Sequence, residues 1–451
     1  MLKKNEIYEI EITDLTVEGL GIGRVDGMAV FVSNMLPGEK GETKIIKVAK
    51  NYAIGRCESI SEVSPQREVP PCPVFKACGG CTLQHLSYIG QLEAKHRHVE
   101  NCIRKLAGID TPVNFPLPCK HPLRYRNKTA FPVMRDYKGR LQIGCYQNHT
   151  HTVVDAGSCL LQSEAADKVI ELVRQWMEKY NVSAYSEFTG EGLVRHVVVR
   201  TTVDGDMMVG LVINGDDIPE KMQLIRGLRL NLPEIMSIVL NENRSRGNVI
   251  LGEKTWPIFG GDRIRERIST LEYDISLNSF LQVNHDQTEL LYTQVLKFAR
   301  LLPNQTAVDL YCGAGTITLQ AARVAGKVYG VEIVPQAIED AKRNAQLNGM
   351  ENVRFVLGDC KEGFAQVKAE AGDIHTVIVD PPRKGLEPSV IEDIADAAPG
   401  RIVYVSCDPA TLGRDLRAFC KRGYEVTQIQ PVDMFPQTMH IETVVALERK
   451  A

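Results

Sequence analysis

The C-terminal part of the chain alternates strand-like with helix-like stretches, and this alternation limits the possible folds more than any other feature. Short runs rich in valine and isoleucine occupy residues 307–311, 327–331, 353–356, 376–379 and 401–405, and a further run covers 443–447. Helical stretches lie between them. Because strands that are joined through helices pair in parallel, the pattern predicts an α/β domain with a mostly parallel, Rossmann-like sheet over residues 266–451.

The turn after the first of these strands is rich in small residues. It reads D-L-Y-C-G-A-G-T over residues 309–316, and glycines such as Gly313 let a ligand approach the backbone where doubly wound sheets bind nucleotides. The G-x-G spacing lacks the third glycine of a dinucleotide site. Glu332 ends the second strand and is placed to accept ribose hydroxyls, and Asp359 follows the third strand, where such folds hold the adenine edge. This order is typical of S-adenosylmethionine methyltransferases.

Two motifs follow the fourth and fifth strands. D-P-P-R covers residues 380–383, and Arg383 replaces the aromatic residue that adenine amino-methyltransferases stack on the base, which argues against that chemistry. S-C-D-P-A-T-L covers residues 406–412. Cys407 ends a parallel strand, at the edge where ligands bind, so it is a candidate nucleophile. The next helix is expected to lower the pKa of this thiol through its N-terminus.

A third motif, F-P-Q-T-M-H-I-E, covers residues 435–442. Glu442 directly precedes the last strand and is therefore expected at the edge of the sheet. A lone glutamate in such a position is usually solvated. Because Glu442 occurs together with Pro436 and His440 after a nucleophile motif, a functional role is favoured.

Cysteine spacing indicates a second kind of site, in the middle of the chain. Three thiols follow the pattern C-x5-C-G-G-C, and a fourth stands 78 residues further on, which gives the set Cys72, Cys78, Cys81 and Cys159. Such a set can supply four thiolates to an iron–sulfur cluster. In a reducing cytosol, clustered thiols are more often ligands or catalysts than disulfides. Cys312 is interpreted as packing within the cofactor turn. The cysteines without ligand spacing are predicted to be structural: Cys57, Cys102, Cys119, Cys145, Cys360 and Cys420.

The N-terminal segment, residues 1–62, reads as short strands separated by glycine turns. Strand-like runs cover residues 7–12, 29–32 and 44–48, and this spacing favours a small barrel of the oligonucleotide-binding type. The barrel resembles the TRAM domain, an RNA-binding barrel attached to RNA-modifying enzymes. A proline-rich linker leads from it to a mixed α+β domain over residues 66–265, which contains the cysteine motif.

Composition limits the possible partners. The 451 residues carry a net charge of −3, so polyanion binding must come from local patches. One candidate patch is R-Y-R-N-K at residues 124–128, whose cations around an aromatic ring suit an RNA strand. The N-terminus shows no apolar leader, and no run approaches the roughly 18 apolar residues of a membrane span. We therefore expect a cytoplasmic protein without a membrane partner.

Together these motifs, with H-I-E at residues 440–442 and the barrel, resemble the RNA uracil-5-methyltransferases, in particular the bacterial 23S ribosomal RNA branch. The resemblance covers nearly the whole chain. It implies a monomeric enzyme that uses S-adenosylmethionine to methylate carbon 5 of uridine in 23S ribosomal RNA, and it implies no role on DNA. It also implies that the predicted ligands hold a 4Fe–4S cluster, namely Cys72, Cys78, Cys81 and Cys159.

The resemblance also implies roles for individual residues. Cys407 matches the nucleophile that adds to carbon 6 of uracil, and Glu442 matches the base that removes the carbon-5 proton. The residues implied to contact the cofactor or the target base are Gln282, Tyr311, Glu332 and Asp380. Leu281 stands where relatives often have an aromatic residue, and no loss of function is expected from this difference.

Three other interpretations stay open. A radical S-adenosylmethionine enzyme also combines a cluster with this cofactor, but that class typically uses C-x3-C-x2-C, whereas the first spacing here is x5. A non-catalytic RNA-binding or assembly protein is disfavoured by the intact Cys407 and Glu442. A transfer RNA enzyme with the same chemistry is disfavoured because that branch usually lacks both the barrel and the cluster.

Overall fold

The computed structural model describes residues 2–148 and 150–450, and it begins with a closed barrel. The barrel strands are β1 (Ile7–Leu15), β2 (Gly21–Val25), β3 (Met28–Ser33), β4 (Lys40–Val48) and β5 (Tyr52–Glu62). They pair in the order β1-β2-β3-β5-β4. Alternate residues such as Ile10, Ile12, Val30 and Val32 are buried, which is the two-residue periodicity of a half-buried strand. The predicted barrel is confirmed.

The middle of the chain contains three helices and a second sheet. Its elements are α1 (Tyr88–Cys102), a π-helical turn (Ile103–Ala107), β6 (Lys128–Arg135), β7 (Leu141–Ile143), β8 (Cys145–Tyr146), β9 (Val153–Val154), α2 (Glu164–Lys179), β10 (Val194–Thr201), β11 (Met207–Ile213), α3 (Lys221–Asn231), β12 (Ile235–Glu242), β13 (Lys254–Gly260), β14 (Arg263–Ile268) and β15 (Leu271–Ser276). The sheet runs β13-β12-β11-β10-β6-β7, and α2 and α3 share its hydrophobic core. Two hairpins, β8–β9 and β14–β15, lie outside it.

The C-terminal part is a doubly wound sheet with helices. Its elements are α4 (His285–Ala299), β16 (Thr306–Leu310), α5 (Thr316–Ala322), β17 (Lys327–Glu332), α6 (Pro335–Leu347), β18 (Val353–Leu357), α7 (Cys360–Ala371), β19 (Thr376–Val379), α8 (Pro388–Ala397), β20 (Arg401–Ser406), α9 (Pro409–Lys421), β21 (Tyr424–Val432) and β22 (Glu442–Arg449). Strand order is β18-β17-β16-β19-β20-β22-β21. The first five strands in this order are parallel, and β22 and β21 close the sheet in antiparallel pairing.

The predicted strands of this sheet are present, and β21 adds a strand that the sequence interpretation did not include. From β16 the chain adds strands in one direction, through β17 to β18, and it then continues on the other side of β16 with β19 and β20. This change of direction creates a crevice at the carboxyl ends of β16 and β19. Open α/β sheets bind ligands at such a switch point. The D-L-Y-C-G-A-G-T motif begins with the last two residues of β16, and the D-P-P-R motif directly follows β19, so both reach this crevice.

Helix α1, although it lies far upstream, packs against the C-terminal sheet. Val99 and Ile103 are fully buried in the same hydrophobic core as Leu416 of α9 and Ile402 of β20. The segment that follows the cysteine motif is therefore joined to the doubly wound sheet through a shared core. This packing brings the cysteine region close to the sheet edge where the ligand crevice lies.

Candidate active site

A cavity of about 520 Å³ opens at the switch point of the doubly wound sheet. It is lined by seven of the residues predicted for cofactor binding and catalysis: Gln282, Tyr311, Gly313, Glu332, Asp380, Cys407 and Glu442. We call it the catalytic cavity. Residues separated by as many as 160 positions in the sequence meet here because their strands end at one edge.

The turn between β16 and α5 has an unusual backbone. Tyr311 has a φ of 67°, which is rare for a residue with a side chain, and Gly315 has a φ of 81°. A Cβ added at Gly315 would stand 3.1 Å from Ala341 and from the ring of Phe355. Glycine is therefore required at this position for both conformation and space.

Glu332 is held at one end of the catalytic cavity by backbone donors. Its Oε2 accepts a hydrogen bond of 3.1 Å from the amide of Gly313, and its Oε1 accepts one of 2.9 Å from the amide of Val334. The carboxylate thus has a fixed orientation beside the glycine turn. This is the place that the sequence predicted for a ribose-binding acid.

Asp359 does not line the catalytic cavity. Its side chain caps helix α7, where it accepts a 2.8 Å hydrogen bond from the amide of Glu362. The carboxylate therefore satisfies one of the free amides in the first turn of that helix. A contact between Asp359 and the adenine edge stays a prediction.

Cys407 lies half-buried in the wall of the catalytic cavity, and its surroundings oppose the thiolate. Burial, together with the charges of Glu442 and Asp380, raises the pKa of its thiol to about 11, and Arg383 lowers it only in part. The expectation that helix α9 lowers this pKa is wrong. The side chain of Asp408 already accepts hydrogen bonds of 2.9 Å from the amides of Ala410 and Thr411, so the helix N-terminus is occupied.

Three carboxyl groups face the same cavity and are poorly solvated. Burial raises the pKa of Asp309 and of Asp380 to about 7, and it raises the pKa of Glu442 well above its ordinary value. Oδ1 of Asp309 and Oε2 of Glu442 are buried without a hydrogen-bond partner in the part of the chain that the structure describes. Since buried polar atoms are normally paired, these oxygens fit a site that a bound ligand completes.

Several residues that the predicted site did not include also line this cavity. They are Phe280, Asp309, Arg383, Phe435 and His440. Phe280 is 71% exposed, which is unusual for an aromatic ring that borders a cavity. Four of them belong to motifs that the sequence showed, and Phe280 lies two residues before Gln282, so their signal was proximity to an assigned residue rather than a pattern of their own.

The segment that carries the third motif, residues 433–441, is braced from upstream; we call it the C-terminal loop. Lys95 of α1 forms a fully buried ion pair with Asp433, whose other oxygen accepts a 2.7 Å hydrogen bond from the hydroxyl of Tyr88. The amides of Thr82 and Leu83 donate to the carbonyl of Gln437 at 2.9 and 3.0 Å. The loop that leads to Glu442 therefore rests on α1 and on the residues after Cys81.

The basic stretch at residues 124–128 is used inside the protein instead of presenting a free cationic strand. Arg124 pairs with Asp167 at 2.7 Å, and the buried Tyr125 donates to the carbonyl of Pro436 at 3.1 Å. Asn127 donates to the carbonyl of Gln282 at 3.1 Å. These contacts connect the segment to Pro436 in the C-terminal loop and to Gln282, which lines the catalytic cavity.

A second cavity, of about 70 Å³, gathers the cysteines of the middle region, and we call it the cysteine cavity. Its thiols come from Cys72, Cys78, Cys81, Cys145 and Cys159. Cys145, which the sequence interpretation took as structural because it lacks ligand spacing, also lines this cavity. Within residues 2–148 and 150–450, no three His, Cys, Asp or Glu side chains already converge on a single ion position. A cubane, however, spreads its four ligands around a body of eight atoms.

The hydrogen bonds in the cysteine cavity suit thiolates. The amide of Gly80 donates to the sulfur of Cys78 at 3.3 Å, and the side-chain amide of Gln84 donates to the sulfur of Cys81 at 3.1 Å. Backbone amides also donate to the sulfurs of Cys72 and Cys159. Hydrogen bonds to the sulfurs are a regular feature of iron–sulfur sites. The donor chemistry therefore fits such a group.

Comparison with known proteins agrees with this architecture. The profile of the family described as tRNA (Uracil-5-)-methyltransferase matches residues 87–450, and the TRAM domain profile matches residues 2–57. A protein of Bacillus cereus described as an uncharacterized RNA methyltransferase is 44% identical over 450 residues, which cover 99% of this chain and 98% of the relative. A protein of the same description from Halalkalibacterium halodurans is 44% identical over 451 residues, with coverage of 100% and 98%.

A solved structure matches over the whole length. Pyrococcus abyssi tRNA (uracil-54, C5)-methyltransferase in complex with S-adenosyl-L-homocysteine superposes with a TM-score of 0.77 and 28% sequence identity, covering 98% of this chain and 100% of that chain. The fold and the catalytic cavity thus define an RNA methyltransferase that uses S-adenosylmethionine. The chain belongs to the RNA uracil-5-methyltransferase family and carries an N-terminal TRAM domain. None of its helices in the described ranges is long and apolar enough to span a bilayer.

Proposed function

We propose that this enzyme methylates carbon 5 of uridine in 23S ribosomal RNA through a covalent bond between Cys407 and the base. The observation that carries the mechanism is that Cys407, Glu442 and Asp380 line the same cavity, with both carboxyl groups close enough to act on the pKa of the thiol. Glu332, Tyr311 and the residues around Gly313 line the same cavity and are proposed to hold the methyl donor.

The proposed steps follow from the electronics of uracil. Carbon 5 is a weak nucleophile until a group adds to carbon 6, and the sulfur of Cys407 adds there, which moves the ring electrons into an enolate. S-adenosylmethionine, when bound, supplies the electrophilic methyl group that carbon 5 takes up. Glu442 then accepts the carbon-5 proton, the double bond forms again and the bond between carbon 6 and sulfur breaks.

The surroundings of Glu442 make its carboxylate a stronger base than one in water. Its side chain is 3% exposed, and burial and the charge of Asp380 raise its pKa. A carboxylate in such a site binds a proton more readily than one in water, which favours its work as a base. Because the cavity lies within the protein, a paired uridine has to leave its helix to reach Cys407.

The cysteine cavity is proposed to hold a 4Fe–4S cluster with four protein ligands: Cys72, Cys78, Cys81 and Cys159. Full coordination by thiolates leaves no open iron, so the role that we assign to the cluster is structural. Its ligands lie next to residues that brace the C-terminal loop. Anaerobically purified protein should be brown and contain about four irons per chain, and Cys159→Ala should lose iron. Retention of full iron in that variant contradicts the assignment.

A transfer RNA substrate is the second candidate. The tRNA methyltransferase from Pyrococcus abyssi matches 98% of this chain, so its likeness extends into the N-terminal barrel as well as the catalytic half. The presence of the barrel is therefore weaker evidence for ribosomal RNA over transfer RNA than the sequence interpretation assumed. Ribosomal RNA stays the first choice because barrel and cysteine motif occur together here.

The substrate is tested by measuring 5-methyluridine in separated 23S ribosomal RNA and transfer RNA from cells with and without the gene. Loss of the modification from ribosomal RNA alone supports the proposal. Loss from transfer RNA alone supports the second candidate and contradicts the first. Complementation with Cys407→Ala is the matched control, because that protein should be present but inactive.

The mechanism is tested by separating the roles of Cys407 and Glu442. Cys407→Ala should abolish both methylation and any covalent complex with RNA. Glu442→Gln should add the methyl group but fail to release the base, and it should accumulate a denaturation-resistant complex that carries the labelled methyl group. A 5-fluorouridine substrate should trap the unaltered enzyme in the same way, because fluorine does not leave as a proton.

Two outcomes speak against this mechanism. An active Cys407→Ala enzyme would remove the covalent step. An inactive Glu442→Gln enzyme without a complex would assign Glu442 to an earlier step or to folding, and a thermal unfolding curve of the variant distinguishes these two roles.

A further inference from the structure

An RNA substrate is a polyanion, yet the chain as a whole carries a net charge of −3. The cations that hold the RNA must therefore be concentrated near the catalytic cavity. The predicted patch at residues 124–128 does not supply them, because Arg124 pairs with Asp167 and its neighbours bind inside the protein. Exposed cations beside the cavity have to take this role.

Such cations are contributed by α1, the π-helical turn, the D-P-P-R motif and α9, and we call their surface the basic face. Its members are Arg97, Arg104, Lys105, Arg383, Arg414 and Arg417, all of them exposed. The side chains of Arg97, Lys105, Arg383 and Arg417 form no hydrogen bond or salt bridge with any residue that the structure describes. The π-helical turn is itself a rare element that occurs frequently at functional sites.

Close packing of α9 against the π-helical turn joins these elements into one surface. A Cβ added at Gly413 would stand 2.9 Å from the carbonyl oxygen of Cys102 and 3.2 Å from the Cβ of Leu106. Lys105 directly precedes Leu106. Arg417 lies one helical turn after Gly413, on the same side of α9. The two helical segments therefore present their cations next to each other.

The other side of α9 is joined to the D-P-P-R motif. The hydroxyl of Thr411 donates to the carbonyl of Arg383 at 3.1 Å, and the guanidinium of Arg414 donates to the carbonyl of Lys384 at 2.9 Å. Arg383 also lines the catalytic cavity. The basic face thus leads from the outer surface of α1 across α9 to the cavity that contains Cys407.

The carboxylates near the basic face leave it positive. Asp408 caps α9 through hydrogen bonds to two amides of its first turn, and Asp415 is only 1% exposed. Glu100 is exposed on α1 and offsets one charge. Because each nucleotide of an RNA strand carries a phosphate, a row of unpaired guanidinium and ammonium groups complements its backbone.

We propose that the basic face binds the phosphate backbone of the RNA strand that enters the catalytic cavity. The inference rests on the proposed function only in requiring an RNA substrate, and it applies to ribosomal and transfer RNA alike. Arg383 contacts the strand beside the target uridine, and Arg97, Lys105 and Arg417 hold it further away. Phosphate contacts position a strand without reading its sequence, so the basic face sets the path of the RNA and not the choice of uridine.

The test uses the full-length enzyme and the triple variant Arg97→Gln/Lys105→Gln/Arg417→Gln, whose side chains lie outside the lining of the catalytic cavity. The probe is a fluorescent oligouridylate, and anisotropy titrations at several salt concentrations measure its affinity. Each lost phosphate contact should reduce the slope of log affinity against log salt by about 0.7, so the triple variant should lose about 2. Arg97→Lys/Arg417→Lys keeps the charges and should keep the slope.

The matched control removes the same charges from other surfaces. The variant Arg226→Gln/Lys297→Gln/Arg343→Gln replaces cations that are also exposed and that have no hydrogen bond or salt bridge from their side chains within the described residues. Its affinity and slope should stay close to those of the unaltered enzyme. Equal losses in the two triple variants would mean that total charge alone binds RNA, and would overturn the inference.

Kinetics provide a second measurement, with total RNA from cells without the gene as the substrate. The variant Arg97→Gln/Lys105→Gln/Arg417→Gln should raise the KM for this RNA at least about tenfold and leave kcat unchanged, because the catalytic cavity is intact. Unchanged affinity and KM would overturn the inference and assign the surface to a different acidic partner. An unaltered enzyme that methylates none of this RNA contradicts the proposed function and not the basic face, which the oligouridylate titration tests by itself.

Discussion

Cys407 is held in surroundings that keep its thiol protonated at neutral pH, although the proposed chemistry needs a thiolate. The thiol lies near two carboxyl groups and one guanidinium, and burial is the largest cause of its raised pKa. The free enzyme is therefore protected from unwanted reaction at this sulfur. Under the proposed mechanism, the thiol is activated in the complex with RNA, where its proton passes to a neighbouring group.

The first prediction concerns the reactivity of this sulfur. In the free enzyme, alkylation of Cys407 by iodoacetamide should be slow at pH 7 and should accelerate with pH up to about 11, the value near which the thiol ionises. Arg383→Met should react several-fold more slowly at pH 8, because the guanidinium favours the thiolate. Mass spectrometry of the peptide that contains Cys407 gives the rates. Lys384→Met, at the exposed neighbouring position, should leave them unchanged.

The second prediction concerns the cofactor end of the cavity. Glu332→Ala should weaken S-adenosylmethionine binding by about 1.5–3 kcal/mol, the range for a hydrogen bond to a charged group. Titration calorimetry measures this change. Glu339→Ala, on the exposed face of α6, is the control and should bind normally. Unchanged affinity in Glu332→Ala would mean that this carboxylate only orders the backbone amides of Gly313 and Val334.

At the level of single residues, the sequence predicted which motifs meet, but it did not predict the pKa values or the hydrogen-bond partners of their side chains. The carboxyl end of a strand predicts where Cys407 lies, since this follows from chain order alone. It does not show how deeply the thiol is buried or that Glu442 and Asp380 lie beside it, so the direction of the thiol pKa was missed. Asp359 also follows a strand, yet its side chain caps helix α7 instead of lining the cavity.

At the level of elements, the position of Glu442 depends on the C-terminal loop. The loop is held by the buried pair of Lys95 and Asp433, by the Tyr88 hydroxyl and by amides that follow Cys81. None of these partners is within 300 residues of the loop in the sequence. The loop's own sequence therefore does not determine its conformation, which is set by contacts from the middle of the chain.

The third prediction tests this brace. Lys95→Met should lower the free energy of unfolding by about 3–5 kcal/mol, because Asp433 would stay buried without its cation. Chemical denaturation followed by circular dichroism measures the loss. The double variant Lys95→Met/Asp433→Asn removes the remaining charge and should regain part of the stability. Equal stability of Lys95→Met and the unaltered protein would show that the pair contributes nothing to the fold.

Elements with a strong local pattern were predictable, and those defined by tertiary contacts were not. Strands β16, β17 and β19 are mostly apolar and buried, as is usual for parallel strands whose two faces are covered by helices. Strand β21 includes the exposed Glu425 and also Pro431, and these two residues interrupt the pattern by which a strand is recognised. The cysteine cavity was predicted in part: spacing grouped the four proposed ligands, whereas the position of Cys145 beside them depends on the pairing of β8 with β9.

At the scale of the whole molecule, the two cavities are linked by short stretches of chain. The amides of residues 82 and 83, directly after Cys81, bind the C-terminal loop, and Arg126 lines the cysteine cavity while Asn127 holds the backbone of Gln282. The barrel joins the same region, because Leu36 packs with Leu83 and Met439. Ordering of the cysteine region is therefore expected to order the part of the catalytic cavity that is proposed to receive the base.

The last prediction follows from this linkage and concerns removal of the proposed cluster. Protein stripped of iron by anaerobic oxidation and chelation should lose most of its methylation rate, because Gln437 and the loop leading to Glu442 lose a brace. Its affinity for S-adenosylmethionine should change little, since Glu332 and Gly313 are held by the doubly wound sheet. Rate assays and titration calorimetry on the same samples test both statements, and reconstitution with iron and sulfide should restore the rate. If cofactor affinity and rate fall together, the cluster supports the whole fold rather than the base-binding wall.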